Sequence, residues 1–265
     1  MKYFLDLAKT EGWNPGLHDA LPFYRTDPQG FFVAELEGKK VGCISAVTYG
    51  EKYGFMGFFI VEKAYRRQGI GSVLWERALD HLGQRSIGLD GVIAQQESYQ
   101  RSSFVLYHRN FRFEGVGKGV VSDWLIDLKS VPFATVEEYD EKVFGVNRKV
   151  FLQEWIHMPE AQAYGCLNKG ALCGYGVVRR CHKGYKIGPL FADNEAAAQL
   201  LFSGLGASAK GEPLFFDVPE TNPHALEIAS NEKMKKVFET ARMYNHPPPL
   251  QRKESVYGVT SFELG

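Results

Sequence analysis

The chain lacks an excess of charge of either sign. Its 265 residues carry 31 basic and 31 acidic side chains. Without a dominant basic face, nucleic acid is a poor fit as the main partner, and any anion site must be local. Long apolar runs are also missing, so no segment reads as a membrane span. The opening Met1-Lys2-Tyr3-Phe4-Leu5 is soon broken by Asp6, Lys9 and Glu11, which does not match a secretion signal. Cysteine is scarce. Cys43, Cys166, Cys173 and Cys181 have neither the density nor the spacing of a disulfide framework. Cys173 and Cys181-His182 have no CxxC pair beside them, so buried, reduced thiols and no structural metal are expected. Together these absences predict a cytoplasmic protein.

What is present is ample core material: 45% of residues are hydrophobic and 14% aromatic. At about 150 residues per domain, the length suits one large domain or two small ones. Residues 2–9 read as a helix, and Gly12-Trp13-Asn14-Pro15-Gly16 as a turn-rich stretch. A second helix is expected over 17–24. Strands over 31–36 and 41–49 flank the turn Glu37-Gly38-Lys39-Lys40 and predict a hairpin. Residues 54–61 are apolar on both faces, as in a central buried strand. A helix is expected over 72–82, with Leu74, Ala78 and Leu82 at helical spacing and Gly83 as its cap. A short strand (86–89), a short helix (95–103) and another strand (104–114) follow. Composition shifts near Ser130-Val131-Pro132. Beyond it the element order recurs: a hairpin over 162–168 and 171–180, strands over 185–191 and 214–218, helices over 195–209 and 222–230. This order predicts two similar α/β domains, residues 1–130 and 131–265. Pro247-Pro248-Pro249 marks an extended surface segment.

The most informative stretch is Val61-Glu62-Lys63-Ala64-Tyr65-Arg66-Arg67-Gln68-Gly69-Ile70-Gly71, between a buried strand and an amphipathic helix. Two glycines permit close backbone approach to a ligand. The helix start adds unpaired N–H groups and a partial positive charge, and Arg66 and Arg67 add fixed charge. That combination suits a pyrophosphate. A Gly-bearing turn with solvated arginines is the plainer alternative. The loop is neither GxxxxGK[ST] nor a GxGxxG fingerprint.

With Arg66, Gly69 and Gly71 matching [RQ]-x-x-G-x-[GA], the sequence resembles the GCN5-related N-acetyltransferase (GNAT) family. The resemblance extends upstream to Phe58-Phe59-Ile60-Val61 and Tyr65. Downstream it reaches Gly88-Leu89-Asp90 and Tyr99-Gln100-Arg101-Ser102-Ser103-Phe104, the last being close to Y-x-x-x-G-F with Ser103 in place of glycine. It covers roughly residues 3–125. The whole chain is similar to a two-domain subgroup, through Gly12–Gly16, Gly188–Asp193 and Arg242-Met243-Tyr244. What the resemblance implies for fold is tandem domains, each a mixed α+β unit with a mostly antiparallel twisted sheet flanked by helices.

For function, the resemblance implies acetyl-CoA as co-substrate and an amine as acceptor, of a small molecule or a peptide. Phe59, Ile60 and Val61 would pair with the pantetheine arm through backbone groups exposed where the strand splays. Arg66, Arg67, Gln68, Gly69, Ile70, Gly71 and Ser72 would cradle the pyrophosphate. A backbone N–H near Val61 would stabilise an oxyanion. Tyr99, at the family's acid position, would protonate the leaving sulfur, since a phenol with pKa near ~10 stays protonated. Tyr107 competes for that role only if residues 104–114 are not a strand. The general base is open: Asp90, Glu62, Glu97 or a water chain, with Asp90 equally readable as a helix cap or turn former. Trp13 is either an acceptor-pocket wall or a core residue, and Arg242 and Tyr244 are either acceptor contacts or structural.

In the second domain, Gly188-Pro189-Leu190-Phe191-Ala192-Asp193-Asn194-Glu195 holds no arginine, and Asp193 and Glu195 are expected to cap the helix there. One coenzyme per chain follows. The second domain is expected to shape the acceptor pocket or an oligomer interface such as a homodimer's. The leading function is acetyl transfer to an amine. Its alternatives are a non-catalytic CoA-binding regulator and an acyltransferase for longer chains, the latter opposed by bulky Phe55, Phe58 and Phe59 where they restrict the acyl pocket.

Overall fold

A computed structural model describes all residues, Met1–Gly265. The strands are β1 (Phe31–Leu36), β2 (Lys39–Tyr49), β3 (Tyr53–Val61), β4 (Ser86–Val92), β5 (Val105–Val116), β6 (Leu125–Asp127), β7 (Ala161–Asn168), β8 (Ala171–Arg180), β9 (Tyr185–Ala192), β10 (Pro213–Pro219), β11 (Lys235–Tyr244) and β12 (Val256–Gly258). The helices are α1 (Lys2–Thr10), α2 (Ala20–Thr26), α3 (Ile70–Leu82), α4 (Gln96–Arg101), α5 (Phe133–Phe144), α6 (Lys149–Ile156), α7 (Glu195–Ala207) and α8 (Pro223–Asn231). Most elements fall where periodicity places them. The β1–β2 turn is tight because Glu37 and Gly38 both take positive φ, which matches the right-handed strand twist. The helix expected over 17–24 starts later, at Ala20. The bridge from Gly16 to Cys181 and the bond from the Leu17 N–H to the Arg180 carbonyl tie the start of that stretch to the end of β8, and residues 17–19 form a turn before the helix. Helices α5 and α6 and strand β11 lie where the sequence reading assigned no element.

The two halves share one mixed, mostly antiparallel sheet. Its order is β1-β2-β3-β4-β11-β5-β10-β9-β8-β7-β6. The pairs β3–β4 and β9–β10 are parallel, and the other neighbours along this path are antiparallel. The sheet has a pseudo-two-fold pattern about its middle. Strand β11, from the second half of the chain, lies between β4 and β5 of the first. Strand β5, in turn, lies between β11 and β10. The halves are thus interleaved rather than merely adjacent.

Both sheet faces are covered, which is why β2, β3 and β8 are buried and apolar on both sides. Helices α1, α2, α5 and α6 cover one face across both halves, in a core containing Phe4, Phe23, Phe58, Phe151, Trp155 and Tyr175. The other face is split. Leu74, Ala78 and Leu82 of α3 pack on Ile44, Ala46, Met56 and Met243, while Ala198, Leu201 and Leu205 of α7 pack on Val178, Leu190 and Phe216. At roughly 1.5–3 kcal/mol for each large apolar side chain buried, the shared face couples the stability of the two halves.

Candidate active site in the cleft between β3 and β4

Strands β3 and β4 pair only from Tyr53↔Ser86 to Met56↔Leu89 and then part. A bulge drives the parting. Four β3 residues, 57 to 60, span what three residues of β2, 43 to 45, span opposite them. Phe58 takes φ of 47° to make this turn, and its ring is anchored edge-on against Phe4 and Phe23. Anchoring a large side chain offsets the cost of a left-handed non-glycine residue. Residues Gly57–Val61 therefore keep their β2 neighbours but have none on the β4 side. The result is a cleft of about 490 Å³ lined by Phe59, Ile60, Val61, Arg66, Arg67, Gly71, Trp75 and Tyr99, among others.

At one end lies the loop before α3. Gly69 takes φ of 83° and Arg67 φ of 63°. These left-handed positions turn the chain so that the N–H groups of Arg67, Gln68, Gly69, Ile70 and Gly71 have no backbone or side-chain acceptor, whereas those of Ser72 and Val73 reach the Gly69 carbonyl. Five successive free donors at the start of a thirteen-residue helix form an anion-binding concavity. This fits the diphosphate of a coenzyme A. The arginines differ from each other. Arg66 donates through Nε to the Val61 carbonyl at 2.7 Å and through Nη2 to Glu11 at 2.7 Å. Arg67 lines the cleft without a protein partner, so it is the free cation. The Gln68 amide donates to the Ala64 carbonyl at 3.1 Å. Gln68, Gly69, Ile70 and Ser72 build the loop without lining the cleft.

Tyr99 lies deeper, on α4. Its ring stacks on Trp75 with centroids 5.7 Å apart, and Trp75 contacts Phe59 and Phe104. Gly91 makes room for it, since a Cβ there would overlap the Tyr99 ring. Burial pushes the Tyr99 phenol up to about 12, so it holds its proton at neutral pH and can donate it. Ser103 takes φ of 65°, which explains why glycine suits that position of the motif. Tyr107 sits in β5 and packs edge-on against Tyr244, away from the cleft.

Asp90 and Arg242 are placed differently from expectation. The Asp90 carboxylate accepts a two-pronged pair from Arg242 at 2.9 and 2.6 Å, a bond from Asn110 at 2.8 Å and one from Thr240 at 3.4 Å. Its side chain has no exposed surface. A carboxylate so paired and so buried is out of reach of an amine proton, and only its backbone edges the cleft. Arg242 is likewise spent, lying over the Phe55 ring at 5.0 Å. Tyr244 is buried between Tyr53 and Tyr107. These residues fasten β11 to β4 rather than meeting an acceptor. Glu62 accepts from the Tyr3 hydroxyl, and neither it nor the exposed Glu97 lines the cleft.

Trp13 does line the cleft. Its loop is pinned by the second half of the chain: Asn14 exchanges two bonds with Lys183, and its carbonyl accepts from Lys186 at 3.0 Å. The Trp13 carbonyl accepts from Arg112 at 2.6 Å. Arg112 is held in turn by both oxygens of Asp217. The sequence reading missed Phe238, Thr240, Phe262 and Glu263, which complete this end of the cleft. Glu263 is 3% exposed and its Oε2 has no partner.

The equivalent parting in the second half is closed. Strands β9 and β10 pair only from Tyr185↔Leu214 to Ile187↔Phe216. Beyond that, β12 pairs with Leu190 and Phe191 of β9, and the Val259 N–H reaches the Asp217 carbonyl of β10. The chain's own strand fills the gap. At the start of α7 the side-chain cap is Asn194, which accepts from the Ala197 N–H at 3.0 Å. This corrects the expected carboxylate caps: Asp193 is taken by the Tyr139 hydroxyl, and Glu195 faces His224 in the first turn.

A strand pair opened by a bulge beside an anion-binding helix start defines a coenzyme A-dependent acyltransferase fold. The acetyltransferase (GNAT) family profile matches residues 2–113, and a second acetyltransferase (GNAT) domain profile matches residues 136–258. The chain belongs to the GNAT family and carries two such domains in tandem. Members of this fold family use an acyl-CoA as co-substrate. The chain is 28% identical over 261 residues to Holothin acyltransferase of Pseudoalteromonas sp. (strain SANK 73390), covering 97% of this chain and 89% of that protein. It is 25% identical over 291 residues to an uncharacterized protein of Caenorhabditis elegans, covering 98% and 86%. A Pyrococcus horikoshii protein provisionally described as an acetyltransferase superposes with a TM-score of 0.82 at 25% identity, over 93% of this chain and 84% of that one. A tandem GNAT protein from the clavulanic acid biosynthesis pathway shares the fold, with a TM-score of 0.61 at 15% identity over 92% and 94%.

Proposed function

We propose that this chain transfers an acetyl group from acetyl-CoA to a primary amine, by direct attack within a ternary complex and with one coenzyme per chain. The observation that carries this reading is a single cleft with an unpartnered β3 edge and a buried Tyr99 that holds its proton, next to a loop with five free N–H groups. The loop and Arg67 are assigned to the diphosphate. The free edge of Phe59, Ile60 and Val61 is assigned to the pantetheine amides, which replace the missing strand. Tyr99 is assigned as the acid that protonates the departing sulfur. Residues 1–130 supply this machinery, and residues 131–265 close the acceptor end by holding the Trp13 loop.

Isothermal calorimetry with acetyl-CoA, followed by thiol release with a panel of amines, tests this reading. One bound coenzyme per chain and amine-dependent release are expected. Tyr99→Phe is expected to lower turnover by about 100-fold or more while leaving coenzyme affinity within about twofold. Two coenzymes per chain, or binding without release for every amine, would refute it.

A further inference from the structure

We propose that the acceptor end of the cleft takes a compact, flat amine, and that the Glu263 carboxylate receives the proton that the attacking nitrogen gives up. This rests on the acetyl-transfer reading above. A carboxylate removed from water is costly unless it is paired. Glu263 is buried and its Oε2 has no partner, although cations surround it. Each of those cations is held elsewhere. Arg112, from β5, is spent on Asp217 and the Trp13 carbonyl. Lys186, from β9, donates to the Asn14 carbonyl, and Arg179, from β8, bonds to Asp19, which lies before α2. Arg179 keeps an unpartnered Nη1 but forms no ion pair with Glu263, and the carboxylate's opening is the cleft that Glu263 lines.

The carboxylate is also rigidly presented. Its neighbour Leu264 is fixed by the Tyr49 hydroxyl on its carbonyl at 2.9 Å and by the Ser261 hydroxyl on its N–H at 3.0 Å. The Glu263 backbone lies against Gly57, where any Cβ would overlap the Glu263 carbonyl. That contact puts Glu263 beside the point where β3 leaves β4. Burial raises the Glu263 carboxyl above the ordinary value. Lys186, Arg112 and Arg179 oppose that rise, and Asp19 supports it. A carboxyl raised in this way is a better proton acceptor near neutral pH.

The walls set the substrate class. Trp13, Phe238 and Phe262 present aromatic surface, with Thr240 as an added hydroxyl. About 490 Å³ must hold both the reactive arm of the coenzyme and the acceptor, so the acceptor is small. In the balanced step, the amine nitrogen bonds to the acyl carbon and gives one proton to Glu263. The carbon–sulfur bond breaks with its electron pair on sulfur, and Tyr99 supplies the proton that sulfur takes. Water at the open mouth then carries the Glu263 proton back to Tyr99. No oxidant or reductant is needed.

The test compares wild type and Glu263→Gln with acetyl-CoA, using benzylamine and 3-aminopyridine as flat amines and spermidine as an extended one. Wild type is expected to prefer the flat amines at least tenfold in kcat/KM. Its kcat/KM should fall with decreasing pH through an ionisation above the usual glutamate value. Glu263→Gln is expected to lose at least 100-fold in kcat and to lose that acid limb. Its coenzyme affinity by calorimetry should stay within twofold, and its thermal midpoint at pH 7 should be no lower than wild type. A variant that keeps kcat within threefold, or keeps the acid limb, overturns the role of Glu263. A preference for spermidine overturns the substrate class. If the glutamine variant does not fold, calorimetry of benzylamine binding to wild type in buffers of different ionisation enthalpy decides the matter. A benzylammonium ion seated beside a carboxyl raised by burial is expected to drive a proton out to the buffer, more so as pH is lowered from 7 to 5, and the absence of any release overturns the role. Wild type that binds acetyl-CoA yet releases no thiol with any amine removes the acetyl-transfer reading itself. Thiol release by wild type that is unaffected in Glu263→Gln removes only this inference.

Discussion

Replacing Arg242 with leucine separates a structural ion pair from an acceptor contact. In the native protein, Asp90 has no exposed side-chain surface and takes two charge-assisted bonds from Arg242. The leucine variant leaves that carboxylate with Asn110 and Thr240 alone, in a site water does not reach. Breaking one side of a buried pair costs about 3–5 kcal/mol, because the remaining charge is uncompensated. Loss of the guanidinium over Phe55 adds roughly 0.5–1 kcal/mol. At about 2–4 °C per kcal/mol for a chain of roughly this size, the thermal midpoint should fall by roughly 7–24 °C. The double variant Asp90→Leu/Arg242→Leu removes both charges and should recover most of that loss. Urea unfolding followed by circular dichroism gives the free energies, and coenzyme titration of the folded fraction should show native affinity. A single variant that loses less than about 1 kcal/mol, or a double variant no more stable than the single, would refute the argument that this pair fastens β11 to β4.

Three further outcomes follow from local geometry. Ser103→Gly relieves a left-handed non-glycine residue and should raise stability by up to about 1 kcal/mol, read by thermal unfolding, with turnover unchanged. Gly91→Ala pushes a methyl into the Tyr99 ring and should lower kcat without weakening acetyl-CoA binding; equal kcat would show that the ring can shift freely. The carboxylates Asp217 and Glu263 should affect acid stability with opposite signs. Asp217 is held below the usual range, chiefly by Arg112 against its own burial, so its contribution is present above about pH 4 and is lost as pH falls through the lowered value. Glu263 is raised by burial, so its ionisation costs the fold, and that cost disappears as pH falls through the raised value. Asp217→Asn should therefore lose stability at pH 7 and flatten the acid limb of the stability curve, while Glu263→Gln should not lose stability at pH 7.

The sequence carries the cofactor end of the cleft because local rules build it. The bulged strand, the left-handed Gly69 and the first turn of α3 all lie within Phe58–Ser72. Spacing alone exposes such a device, and Tyr99 lies one strand and one short helix further on. The acceptor end is not legible in the same way. Strand β11 escapes because its buried half, Thr240 to Tyr244, contains a threonine and an arginine that are satisfied only by Asp90 on another strand. Polar residues buried by long-range pairing erase the alternation that marks a strand. Asp90 misleads for the same reason: a carboxylate at the end of a strand has the look of a catalytic base until its partner, 152 residues away, is seen. Glu263 has no motif around it. Its isolation from partners is a property of packing and does not appear in any spacing.

The interleaving also explains why one chain with two similar halves should hold one site. In each half a parallel strand pair parts, and the parting leaves backbone groups that need a partner. The second half satisfies them with β12, so a coenzyme there would have to displace strand bonds already made. From β12 the chain crosses to the first half and ends with Phe262 and Glu263 in the open cleft. Closing one site and furnishing the other are thus consequences of one segment. A chain cut near residue 130 would lose β11 from between β4 and β5 together with that segment. Its sheet would present two unpaired edges and its cleft would have no acceptor wall. Such a fragment is expected to be insoluble or unfolded by circular dichroism. A folded, monomeric fragment of residues 1–130 that binds acetyl-CoA would show that the first half does not depend on the strand it borrows.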